Sequence, residues 1–96
     1  MDDEAGTRDN QYRLGTNYPN PFNPSTRIKF DVPSSKFVTL KVFDVLGREV
    51  ATLVNEVKQP GSYMVTFSAE GLASGVYFYR MQAGNFAATR KLMLLR

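Results

Sequence analysis

The chain has 96 residues, 43% of them hydrophobic, and carries 12 Lys and Arg against 9 Asp and Glu for a net charge of +3. That length suits one small domain with a thin core, because a chain of about 100 residues buries only about 60–70% of the surface it exposes unfolded. It contains no His, Cys or Trp, which removes the usual general base, the thiol nucleophile, the common nitrogen and sulfur metal ligands and any disulfide framework.

Residues 1–11 read as a flexible acidic linker. Asp2, Asp3, Glu4 and Asp9 against Arg8 give residues 1–10 a balance of −3, so the rest carries +6 within the total of +3. No charged-then-apolar signal-peptide pattern occurs there. Met1 reads as an added start residue, and the natural protein is expected to extend further toward its amino terminus. No apolar run approaches the roughly 18 residues of a membrane span. The scattered basic residues read first as a solvated surface and second as a site for an anionic partner such as lipopolysaccharide. No arginine-rich run or RNP-type pattern occurs, so nucleic acid is not an expected partner.

Residues 12–96 read as one domain of short strands separated by turns. Tyr18-Pro19-Asn20-Pro21-Phe22-Asn23-Pro24 is expected to be extended and edge-like, since proline cannot donate to a ladder. Residues 26–32 alternate, with Ile28, Phe30 and Val32 on one face and Arg27, Lys29 and Asp31 on the other. Pro33-Ser34-Ser35 turns the chain. Residues 37–44 place Val38, Leu40 and Val42 inward. Asp44-Val45-Leu46-Gly47 is a tight connection in which Gly47 supplies a positive φ and the Asp44 side chain caps the turn. Residues 48–54, beginning with Arg48, return as the partner strand. Gln59-Pro60-Gly61-Ser62 fits a type II turn, and Tyr63, Val65 and Phe67 then alternate inward. Leu72-Ala73-Ser74-Gly75 is a compact corner, residues 76–83 form a strand, Gly84-Asn85 is a two-residue hairpin loop, and residues 86–95 form the last strand. The expected fold is all-β: an immunoglobulin- or fibronectin III-like antiparallel sandwich of seven strands. Leu72, Gly75 and Tyr77 set up a tyrosine corner, with the Tyr77 hydroxyl bonding backbone a few residues upstream.

Taken in order, these motifs resemble a known family. Tyr18 to Pro24 with its Pro19-Asn20-Pro21 core, Val42-Phe43-Asp44-Val45-Leu46-Gly47-Arg48-Glu49-Val50, Leu72-Ala73-Ser74-Gly75-Val76-Tyr77-Phe78-Tyr79-Arg80 and Lys91-Leu92-Met93-Leu94-Leu95-Arg96 are similar to the successive motifs of the type A carboxy-terminal sorting domain of the type IX (Por) secretion system. The immunoglobulin-like domain of flagellar hook-capping proteins is similar over the central hairpin and ranks second. The resemblance implies a domain that ends a larger exported protein, crosses the periplasm, and is recognised by an outer-membrane translocon. It further implies a sortase-like peptidase that removes the domain and attaches the cargo to anionic lipopolysaccharide, leaving it at the outer-membrane surface or outside the cell. Any cleavage would fall in residues 1–11. Arg96 stands where many members carry Lys.

In a fibronectin-like order the last strand is a sheet edge, and exposed edges invite a partner strand. Residues 87–95 are apolar and little guarded before Arg90, Lys91 and Arg96, so a translocon would read this edge by strand addition, with those basic residues setting register and residues 91–96 as the recognition motif. The plainer reading is that the strand completes the sheet. The same edge allows a monomer or an edge-strand or strand-swapped dimer. Phe37, Phe43 and Phe78 are expected to point outward, so the alternative function is a passive cell-surface interaction or carbohydrate-binding module. No cofactor is expected. An enzyme is not expected either, since Asp31, Asp44, Glu49, Glu56 and Glu70 fall in turns or on polar faces with no convergent pattern.

Overall fold

The structure, a computed structural model, describes residues 11–96, so most of the expected linker lies outside the described residues. Seven strands follow one another: β1 (Arg13–Leu14), β2 (Ser25–Val32), β3 (Lys36–Phe43), β4 (Glu49–Lys58), β5 (Gly61–Ser68), β6 (Gly75–Ala83) and β7 (Phe86–Leu94). All pairings between them are antiparallel. One sheet has the order β1-β2-β5 and the other β4-β3-β6-β7, an immunoglobulin-like sandwich. The alternating side chains explain why the sheets stack. Ile28, Phe30 and Val32 from β2 and Phe67 from β5 meet Val38, Leu40 and Val42 from β3, Tyr79 and Met81 from β6, and Leu92 and Leu94 from β7 in one buried cluster. Residues two apart share a face, so each strand offers one apolar row to that core.

Strand β4 runs to Lys58, four residues past the end of the alternation at residues 48–54. Its register against β3 shifts between Leu40 and Lys41 and again between Val42 and Phe43. Each extra residue flips the facing of those that follow, so a period of two no longer marks the strand. The Gln59-Pro60 step carries the chain from one sheet to the other and differs from the expected type II turn. Gly61 has φ of 153° and already opens β5, whereas a type II turn needs about 80° at that position. The Gly84-Asn85 loop is as expected: Ala83 pairs with Phe86, and Gly84 has φ of 59° with no positive φ at Asn85, the pattern of a II′ hairpin.

The Pro-rich segment is neither a regular strand nor a loose loop. Tyr18 bridges Arg27 antiparallel on β2, and Phe22 bridges Leu94 in parallel on β7. It therefore straps one sheet to the other. Phe22 is buried, packed at 5.9 Å against Phe67. Asn17 donates to Pro19 O and to Thr26 Oγ1, and Thr26 Oγ1 donates to Pro19 O at 2.8 Å, which pins the start of the strap to β2.

Candidate recognition surface at the last strand

Two corners place β5 and β6. Gly75, with φ of 150°, lets the chain enter β6 sharply, and the Tyr77 hydroxyl donates to Ala73 O at 2.6 Å. This is the expected tyrosine corner. A second corner was not expected: the Tyr63 hydroxyl donates to Gln59 O at 2.6 Å, two residues after Gly61. The signal for both is Gly-x-Tyr following a chain reversal, as Gly61-Ser62-Tyr63 and Gly75-Val76-Tyr77. Each stands where the chain crosses between sheets.

The Asp44-Gly47 turn is built as expected. The Asp44 carboxylate accepts from the Leu46 and Arg48 N–H groups at 2.9 Å each, and Arg48 Nε closes an ion pair at 2.8 Å. Gly47, with φ of 84°, donates its N–H to Asp44 O. The Arg48 N–H bond above all holds the Asp44 carboxyl below its usual value, aided by the Arg48 guanidinium. The turn tip leaves Val45 and Leu46 exposed.

Of the six residues Lys91 to Arg96, the last five divide between the core, the strap and the corner. Leu92 and Leu94 are fully buried. The Met93 N–H donates to Asn20 Oδ1 at 3.1 Å, Met93 O accepts from Phe22 N–H at 3.0 Å, and Leu95 N–H donates to Phe22 O. Arg96 donates from Nε to Leu72 O at 2.8 Å and from an Nη to Ala69 O at 2.7 Å, while its N–H reaches Ser74 Oγ. Its guanidinium is thus a fork across the corner that leads into β6. Lys91 is exposed on the outer sheet face opposite Phe78, and Leu95 is exposed beyond the strand. The expectation of an open edge along residues 87–95 therefore needs shortening. From Met93 onward the edge is closed by Asn20 and Phe22, whose Pro-rich context hid the pairing.

Upstream of Met93 the edge is open. Strand β7 has β6 on one side only, and β1, the edge of the other sheet, is two residues long. The seam between them is tied at three points. Arg90 Nε donates to Leu14 O at 2.6 Å, the Tyr79 hydroxyl donates to Gly15 O at 2.6 Å, and Tyr12 stacks on Phe86 at 5.2 Å. Burial raises the Tyr79 pKa, opposed by Arg90 and by the Asn17 N–H that faces the hydroxyl. Between these ties lies a groove of ≈ 460 Å³ lined by Leu14, Phe86, Ala88 and Arg90 among others.

The outer face of the larger sheet carries Phe43 opposite Phe78 and Lys41 opposite Arg80. Phe43 and Phe78 are half-buried there, and Phe37 is exposed. Lys41 pairs with Glu49, whose carboxyl is held low chiefly by the Thr52 hydroxyl.

A family model described as "Secretion system C-terminal sorting domain" matches residues 16–95. No curated protein and no solved structure matches the chain.

Proposed function

The chain belongs to the secretion system C-terminal sorting domain family, and from that premise we propose that it directs a larger cargo across the outer membrane by the type IX system and on to the cell surface. The observation that carries this reading is the match over residues 16–95, the stretch that runs from the strap to the end of β7 and holds six of the seven strands of the sandwich. The domain would act as a folded address with no chemistry of its own. In support, four of the five carboxylates among the described residues are engaged structurally. Asp31 meets Arg13 and Ser62, Asp44 meets Arg48, Glu49 meets Lys41, and Glu56 meets Lys58. Its partners would be an outer-membrane translocon and a sortase-like peptidase, with anionic lipopolysaccharide as the final attachment. The excess of basic residues beyond residue 10 favours such anionic surroundings. The route would pass through the periplasm to the outer-membrane surface or the medium.

The test places the 96-residue chain behind a periplasm-directed reporter in a bacterium with a type IX system and in a strain lacking it. The reporter should reach the surface or medium only in the first. Periplasmic retention in both, with binding of the purified chain to a glycan array, would replace sorting with the carbohydrate-binding reading.

A further inference from the structure

The bonds at the end of β7 fix which of its backbone groups face away from β6. Met93 N–H and O both point outward, to Asn20 and Phe22. The register with β6 runs without a shift from Phe86 to Leu94, and in an antiparallel ladder outward-facing residues recur every second position. Ala87, Thr89 and Lys91 therefore also turn their N–H and C=O outward. Among the described residues no strand pairs with them there. The opposite edge of the same sheet, β4, is interrupted by two register shifts, a common way of blunting an edge. Strand β7 has no such break and no proline.

The side chains beside this edge differ by face. On the groove side stand Phe86, Ala88 and Leu14, with Arg90 at the far end tied to Leu14 O. On the outer side stand Ala87, Thr89 and Lys91, all exposed. Among the described residues no carboxylate forms an ion pair with Arg90 or Lys91. A strand added here would lower one row of side chains onto the Leu14, Phe86 and Ala88 side of a groove that Arg13 and Arg90 also line, and lay the other row beside Lys91. Main-chain bonds would give affinity and the two rows would give selectivity.

We infer that the outward edge from Ala87 to Lys91 is a strand-acceptor site for an extended segment, alternately apolar and acidic, of a protein that receives the domain. The inference rests on the sorting reading and moves the contact upstream of residues 92–96, whose backbone and side chains hold the fold together.

The first test is amide hydrogen exchange on the whole chain, read residue by residue. Alone and dilute, Ala87, Thr89 and Lys91 should exchange fast while Ala88, Arg90 and Leu92 are protected. A blocked seven-residue peptide alternating Val and Glu should slow the first three by about tenfold or more, the effect of about one added hydrogen bond. The matching Val–Lys peptide should not. Protection in the dilute chain alone would mean that its own residues fill the edge. Protection that appears only with dimerisation would assign the edge to a second copy. Either result, or equal effects of both peptides, overturns the proposal.

The second test is export of the reporter fusion with Thr89→Pro. The Thr89 N–H faces outward from an edge strand, so proline there leaves the β6 ladder intact, a kind of strand position that proline tolerates. Export should fall about tenfold. If the unaltered chain is exported and a folded Thr89→Pro chain is exported equally, this site is wrong and the sorting reading stands. If the unaltered chain is not exported, the sorting reading itself fails. Should Thr89→Pro lower the melting midpoint, Lys91→Glu serves instead. It should weaken the Val–Glu peptide and strengthen the Val–Lys peptide.

Discussion

Replacing Tyr79 with Phe removes a single oxygen from the largest fully buried side chain of the domain. That oxygen donates to Gly15 O at 2.6 Å and faces the Asn17 N–H. Nothing else in the larger sheet reaches the chain between Leu14 and the strap by a hydrogen bond among the described residues, except Arg90 at Leu14 O. The ring itself stays, so the apolar packing is unchanged and the loss is polar. A buried group left unsatisfied costs about 1–3 kcal/mol. Gly15 lines a surface groove, and the middle of that range, about 2 kcal/mol, is the expected loss. For the 86 residues described, about 0.05–0.15 kcal/mol per residue gives a total stability of about 4–13 kcal/mol. The substitution should thus lower the melting midpoint by about 8–16 °C, at about 4–8 °C per kcal/mol for a domain of this size. Circular dichroism against temperature and against urea measures it, and the urea slope should stay unchanged because the same surface is exposed on unfolding. A stability within about 0.5 kcal/mol of the unaltered chain would refute the claim that this hydroxyl ties β1 to the opposite sheet.

Two further outcomes follow from the same structure. Arg96→Ala should lose two charge-assisted bonds to Leu72 O and Ala69 O, lowering stability by about 1–2 kcal/mol in urea unfolding. Arg96→Lys should recover about half, since an ammonium cannot span both carbonyls as a planar fork does. The folded Asp44 carboxyl titrates below its ordinary value, so its stabilisation is present above about pH 3.9 and is lost as the pH falls through the lower, folded value. Urea midpoints measured from about pH 5 down to about pH 2.5 should therefore fall less steeply for Asp44→Asn than for the unaltered chain.

Where a local rule acts alone, the structure is legible from the residues. Val38, Leu40 and Val42 point inward, Asp44 and Gly47 build their turn, and Tyr77 makes its corner, because a period of two, a capping carboxylate and a Gly-x-Tyr reversal each operate within a few residues. Where two distant segments decide the outcome, the reading falls short. The bulged register of β4 depends on β3, and Pro19 to Pro24 gives no hint that Asn20 and Phe22 will pair with residues some 70 positions later, at Met93 and Leu95. That pairing is also what shifts the open edge. The basic end of the chain reads as exposed signal, yet the Arg96 guanidinium is spent on two backbone carbonyls and Leu92 and Leu94 on the core. Its contribution to the fold is visible only once the corner at Ala69 to Ser74 is in place.

The central claim is that the address is the folded sandwich and not its last residues as a linear tag. Two reporters decide it in a bacterium with a type IX system: one carries the 96-residue chain, the other only residues 86–96. Quantified by protease accessibility at the surface and by reporter in the medium, the first should be exported and the second retained in the periplasm. Equal export of the eleven-residue reporter would contradict the account.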